Sequence, residues 1–172
     1  MRVHKLVSLA LISAVGLILF SVEMVVPRPF PWMKLGLGNV APLLALILYG
    51  GWEAAAVMAI KVGVGGFFTG VFLGPGFLMA AAGGCTAICC MGGVRWGAPG
   101  VFSVIGISVI GAIAHNLAQL GVAYLWFVGR DEVLSLFPMF LLSGLLAGLT
   151  IGLVAHVLVT RVEGVMGWRT GT

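Results

Sequence analysis

Three polar side chains crowd one turn of an otherwise apolar stretch: His115, Asn116 and Gln119. His115 and Gln119 are four apart and Asn116 and Gln119 three apart, so on a helix they share a face. Ser108, seven residues before His115, falls on nearly the same stripe. An imidazole and two carboxamides supply several donors and acceptors, a set suited to a ligand's polar head or a water pocket. An interhelical hydrogen-bond clamp is the plainer alternative. Lys61 stands midway along another apolar stretch, with Glu53 eight positions earlier. An ionisable group in lipid costs roughly 2.5–3.5 kcal/mol on insertion scales and normally faces a cavity or a partner. Lys61 could neutralise an anionic group of a ligand, or pair with Glu23 or with a backbone carbonyl of another helix. Glu23 lies four residues before Pro27, near enough to a helix end to be either a gate residue or a solvated one. Lys34 and Asn39 flank a glycine-rich segment and could close over a ligand or anchor the chain at the membrane interface.

Cys85, Cys89 and Cys90 form a C-x-x-x-C-C cluster. Two thiolates on one helical face make half of a usual four-ligand site, and no His or Asp lies nearby in sequence. An odd, apolar-embedded set is not a disulfide framework, so the three read as small buried hydrophobes. No metal and no cofactor is expected. His4 and His156 are single residues near the ends of apolar stretches and carry no signal. The phosphate-cradling G-x-x-x-x-G-K-S/T run, H-E-x-x-H and G-x-S-x-G are all missing. Asp131 is the one aspartate in the chain, whereas a prenyl-diphosphate synthase needs clustered carboxylates to hold Mg²⁺ against diphosphate. Catalysis is not expected.

The elements that must position these residues are set by composition. Of 172 residues, 61% are hydrophobic and 8% charged, and the mean hydropathy is +1.20. Soluble domains carry about 25% charged residues, so the solvent for this chain is lipid. Long continuous apolar blocks, rather than short alternating ones, exclude a β-barrel. A helical span needs roughly 20 residues, which leaves room for one all-α domain, residues 1–172, with about six transmembrane helices. The net charge is +4, but the basic residues are scattered at block ends, so no nucleic-acid surface exists. Met1 to Lys5 followed by an apolar run without an A-x-A cleavage site reads as a retained first helix.

The blocks run from about 6 to 26, 35 to 49, 52 to 73, 77 to 91, 101 to 128 and 134 to 159. Pro27, Pro29 and Pro31 end the first and make a stiff loop, with Trp32 at the interface. The second is short, and Gly36, Gly38 and Pro42 suggest a broken entry. Even parity puts both termini on one side. Arg2, Lys5, Arg95, Arg161 and Arg169 lie there, against Arg28, Lys34 and Arg130, which favours cytoplasmic termini. Gly66, Gly70 and Gly74, and Gly144, Gly148 and Gly152, recur every four residues, as do Ala10 and Ala14. Small residues at this spacing let helices approach closely in lipid.

Lys34-Leu35-Gly36-Leu37-Gly38-Asn39-Val40 resembles the K-L-G-L-A-N-I signature of the Gx transporter family, also labelled heptaprenyl diphosphate synthase component I. Lys61, Gly83-Gly84, Gly106-Ile107-Ser108 and His115-Asn116-Gln119 extend the resemblance over roughly 6–160, with Gly38 replacing the usual Ala. That family in turn looks like the S components of energy-coupling-factor transporters. The resemblance implies an outward-facing pocket closed by the loop 27–34. It also implies docking of Ala10 and Ala14 on a transmembrane coupling subunit driven by a pair of ATPases, in a bacterial inner membrane. Lys61, His115, Asn116 and Gln119 would bind the small-molecule substrate, with Lys34, Asn39 and Glu23 at its gate. A membrane subunit of a quinone-, isoprenoid- or flavin-linked redox assembly is the alternative.

Overall fold

A computed structural model describes residues 2–25 and 35–166. Lys34, and with it Arg28, Trp32 and Arg169, lies outside the described residues. Among those described there are six α-helices and no strand: α1 (Arg2–Val25), α2 (Val40–Leu48), α3 (Gly51–Phe68), α4 (Pro75–Gly97), α5 (Val104–Val122) and α6 (Phe137–Met166). Every helix but α2 belongs to an apolar stretch long enough to cross a membrane. Large apolar side chains such as Leu11, Ile18, Phe67, Leu142 and Leu153 face outward, as lipid contact requires.

α2 is the exception. Its nine residues rise about 14 Å, half of the roughly 30 Å hydrocarbon core. It sits in the middle of the bundle, with Val40 to Ile47 all buried. Gly36, in the left-handed region at φ 74°, lets the chain turn into a 3-10 turn, Leu37–Asn39, that leads into the helix. This is the broken entry expected from Gly36 and Gly38. At the other end Arg95 donates from Nη2 to the Ile47 carbonyl at 3.0 Å, satisfying one of the acceptors a helix end leaves open.

Three elements differ from expectation. α3 stops at Phe68, so Gly66, Gly70 and Gly74 do not form one helical stripe: Gly70 has φ +70° and Gly74 is the N-cap of α4. α4 runs on to Gly97 because Arg95 and Trp96 are helix-compatible, and Pro75 opens it at a position where its missing N–H costs nothing. Beyond Val122 the chain widens into a π-helical turn, Ala123–Val128, which Gly129 ends at φ 62°, and α6 begins only after a 3-10 turn at Asp131–Leu136.

Glycine sets the register. A Cβ on Gly144, Gly148 or Gly152 would lie 3.0, 2.6 or 2.8 Å from the Cα of Ile113, Val109 or Ile105, so α5 and α6 pack antiparallel with touching backbones. Gly111 against Met91, and Gly84 against Met58, extend the same close packing to α4 and α3. Ser108 is part of this seam, buried and within reach of Gly152, rather than on the polar stripe of His115. Lys5 of α1 forms a salt bridge with Glu53 of α3. That contact marks the end of the bundle where α1 starts and α6 finishes.

Candidate functional site

At the opposite end, the helices enclose a cavity of about 390 Å³. One wall is built by α1, the turn before α2, and α3. Glu23 and Lys61 are each 8% exposed, so both ionisable groups must find polar company inside the bundle. The Gly36 backbone N–H donates to Glu23 Oε1 at 2.5 Å. One 3-10 turn later Asn39, whose own N–H donates to the Gly36 carbonyl at 2.7 Å, accepts from Lys61 Nζ through its Oδ1. Glu23, Gly36, Asn39 and Lys61 thus form a relay that ties α1 to α3 through the glycine turn. A Cβ on Gly36 would meet Ile151 of α6 at 3.0 Å, so glycine here serves both the positive φ and the fit.

The other wall belongs to α5 and α6. The His115 ring lies flat against α4 where Gly83 leaves room: a Cβ there would come within 2.9 Å of ring Cε1 and Nδ1. Asn116 donates from Nδ2 to the Phe140 carbonyl of α6 at 3.1 Å, which fixes that carboxamide. Gln119, one turn on, lines the same cavity, as does Ser143 of α6. Phe20 and Phe77 add apolar surface to the lining. Phe20 packs over Gly65, and Phe77 meets Phe72 edge to face at 5.0 Å.

Of the residues singled out in the sequence, Glu23, Asn39, Lys61, His115, Asn116 and Gln119 all line this cavity. Ala10 and Ala14 lie elsewhere, exposed on the outer face of α1 beside Val7, Leu11 and Ile18. Glu53 faces Lys5 rather than Lys61. Cys85 and Cys89 are exposed and Cys90 half-buried, so the expectation of buried filler fails: α4 turns these positions to the outside. Among the described residues no group of three or more His, Cys, Asp or Glu could hold a metal ion.

Phe20, Thr69, Phe77 and Ser143 also line the cavity and were not anticipated. Helical spacing held the clue for one of them, since Phe20 is three residues before Glu23 and shares its face. Ser143, one position before the Gly144 stripe, is a polar residue at the seam between α5 and α6.

The fold and the cavity define a multi-pass α-helical membrane protein with a mixed polar and apolar chamber near one end. The chain belongs to the heptaprenyl diphosphate synthase component I family, whose model matches residues 12–158. That span includes every described residue named on the cavity walls, and Ala14 but not Ala10. No curated protein and no solved structure matches the chain.

Proposed function

We propose that this chain is the solute-binding membrane subunit of an uptake system of the S-component kind. It captures a small molecule in the cavity and is energised by an ATPase pair through a separate coupling subunit. The observation that carries the reading is the convergence of Glu23, Asn39, Lys61, His115, Asn116 and Gln119 from four separate segments on one chamber. Groups so costly to place in lipid gather where they serve a ligand, and the chamber falls within the usual 300–1,000 Å³ of small-molecule sites. The chamber lies at the end away from the start of α1 and the close of α6, so cytoplasmic termini in a bacterial inner membrane would turn it outward. The reading assigns the chain no catalytic step, since one aspartate cannot supply the carboxylate cluster that diphosphate chemistry with Mg²⁺ needs.

The test is gentle affinity purification from native membranes, with mass spectrometry of co-purifying proteins and of any small molecule. Two ATPases and a coupling subunit are the expected companions. Flavin or quinone proteins without an ATPase would replace this reading with that of a redox-assembly subunit. With the retained molecule as titrant, Lys61→Ala and His115→Ala are each expected to lower affinity at least tenfold while the protein still folds. Unchanged binding in both would remove these residues from the site.

A further inference from the structure

The α5–α6 wall carries more hydrogen-bonding capacity than the protein itself uses. Among the described residues, Gln119 makes no side-chain hydrogen bond, Asn116 spends its Nδ2 on Phe140 while its Oδ1 has no partner, and the Ser143 hydroxyl has none. Ser143 is 7% exposed, and what remains accessible is its cavity side. A serine in a membrane helix ordinarily returns its hydroxyl to the carbonyl four residues back, as Thr150 does to Leu146 at 2.9 Å. Ser143 does not, so its hydroxyl is left for whatever occupies the chamber it lines. Polar groups at a cavity surface that the protein leaves unspent are those a ligand satisfies on entering, so a neutral set of this kind is complementary to a neutral polar ligand. Together the wall presents one amide with both a donor and an acceptor, one further acceptor and one hydroxyl. That is the complement of an edge carrying N–H beside C=O.

The charges and the volume narrow the class further. Glu23 and Lys61 both line the chamber, so its fixed charge balances to zero and favours a ligand without net charge. At about 390 Å³ the chamber lies at the small end of the usual 300–1,000 Å³ of small-molecule sites, which suits a compact ligand. We propose that the chamber takes a compact, uncharged heterocycle of lactam or cyclic imide type. Its N–H/C=O edge is read by Gln119, Asn116 and Ser143, and its rings rest against the apolar surface of Phe20 and Phe77. This rests on the uptake reading and deepens it.

The experiment is a titration of the purified full chain in nanodiscs with lumazine, xanthine and uracil. 1,3-Dimethyl-lumazine, which lacks both N–H groups, and heptaprenyl diphosphate serve as comparisons. At least one of the three heterocycles is expected to bind and to raise the unfolding temperature. N-methylation is expected to weaken binding at least tenfold, because a site built to hydrogen-bond rejects the analogue that lacks the group. Gln119→Glu, which removes the donor and keeps the shape, and Ser143→Ala should each weaken heterocycle binding tenfold or more without moving the unfolding temperature of the empty protein. Failure of all three heterocycles, tighter binding of heptaprenyl diphosphate, or indifference to both substitutions overturns the proposal. Mass spectrometry of the molecule carried from native membranes separates the two levels. A retained small solute without such an edge overturns this assignment and leaves the uptake reading standing. A retained prenyl diphosphate overturns both.

Discussion

Glu23 and Lys61 are held differently, and the difference is testable one atom at a time. Lys61 reaches a side-chain carboxamide, whereas Glu23 accepts from the backbone N–H of a glycine whose φ of 74° almost no other residue adopts cheaply. Glu23→Ala strands that N–H, and an expected loss of about 1–3 kcal/mol should appear as a lower unfolding midpoint in detergent. Glu23→Gln keeps an acceptor in place and is expected to recover most of that stability. If Gln is as damaging as Ala, the charge rather than the hydrogen bond holds the turn. His115, Asn116 and Gln119 were legible in the sequence because polar groups stand out in an apolar run and must be accounted for. Phe20 and Ser143 were not, since phenylalanine is ordinary in a membrane helix and a single serine is cheap. Only the packing of α1 against α3, and of α6 against α5, brings them to the chamber.

That packing is decided at the level of the helices. The Gly144, Gly148 and Gly152 stripe could be read from its spacing as a close helix contact, and its partner, α5, could not. The number of helices and the irregular entry to α2 were also legible, from hydropathy blocks and from Gly36 and Gly38. Where α3 stops was hidden, because Thr69 to Leu73 is as apolar as the helix before it and only the local φ of Gly70 and Leu73 breaks the run. The seam makes a sharp prediction. Gly148→Ala puts a methyl 2.6 Å from the Val109 Cα, and backbone cannot swing aside as a side chain does. A destabilisation of about 1–3 kcal/mol is expected, read as a lowered unfolding midpoint. Gly93→Ala on α4, with nothing within 4 Å, should be neutral or slightly stabilising through helix propensity. Equal effects at the two sites would mean that glycine acts here through chain flexibility and not through contact.

Across the whole molecule, the outer face of α1 and the outer face of α4 meet different surroundings under the proposed assembly. Ala10 and Ala14 sit in the middle of the exposed α1 face. Ala14→Leu is expected to leave solute affinity within twofold and to reduce recovery of a coupling subunit in pull-downs by tenfold or more. Full recovery would place the partner on another face. Cys85 and Cys89 should resist a charged, impermeant maleimide in the intact protein, because exposure here means contact with acyl chains, where the thiolate that the reagent needs does not form. Rapid labelling by the charged reagent would put that face of α4 in water.

The loop at 98–103, which joins α4 to α5, lies at the end away from the chamber, and five of its six residues, Pro99, Gly100, Val101, Phe102 and Ser103, are exposed. Everything charged on the chamber wall precedes that loop, and the neutral hydrogen-bonding wall follows it. The chain is therefore divided as its chamber is, each portion bringing one jaw. A solute seated between the jaws holds the two portions together, so its free energy of binding adds directly to that of folding, by RT ln(1 + [L]/Kd). Severing the backbone at Pro99 and co-producing the two pieces would turn the solute into the fastener between them.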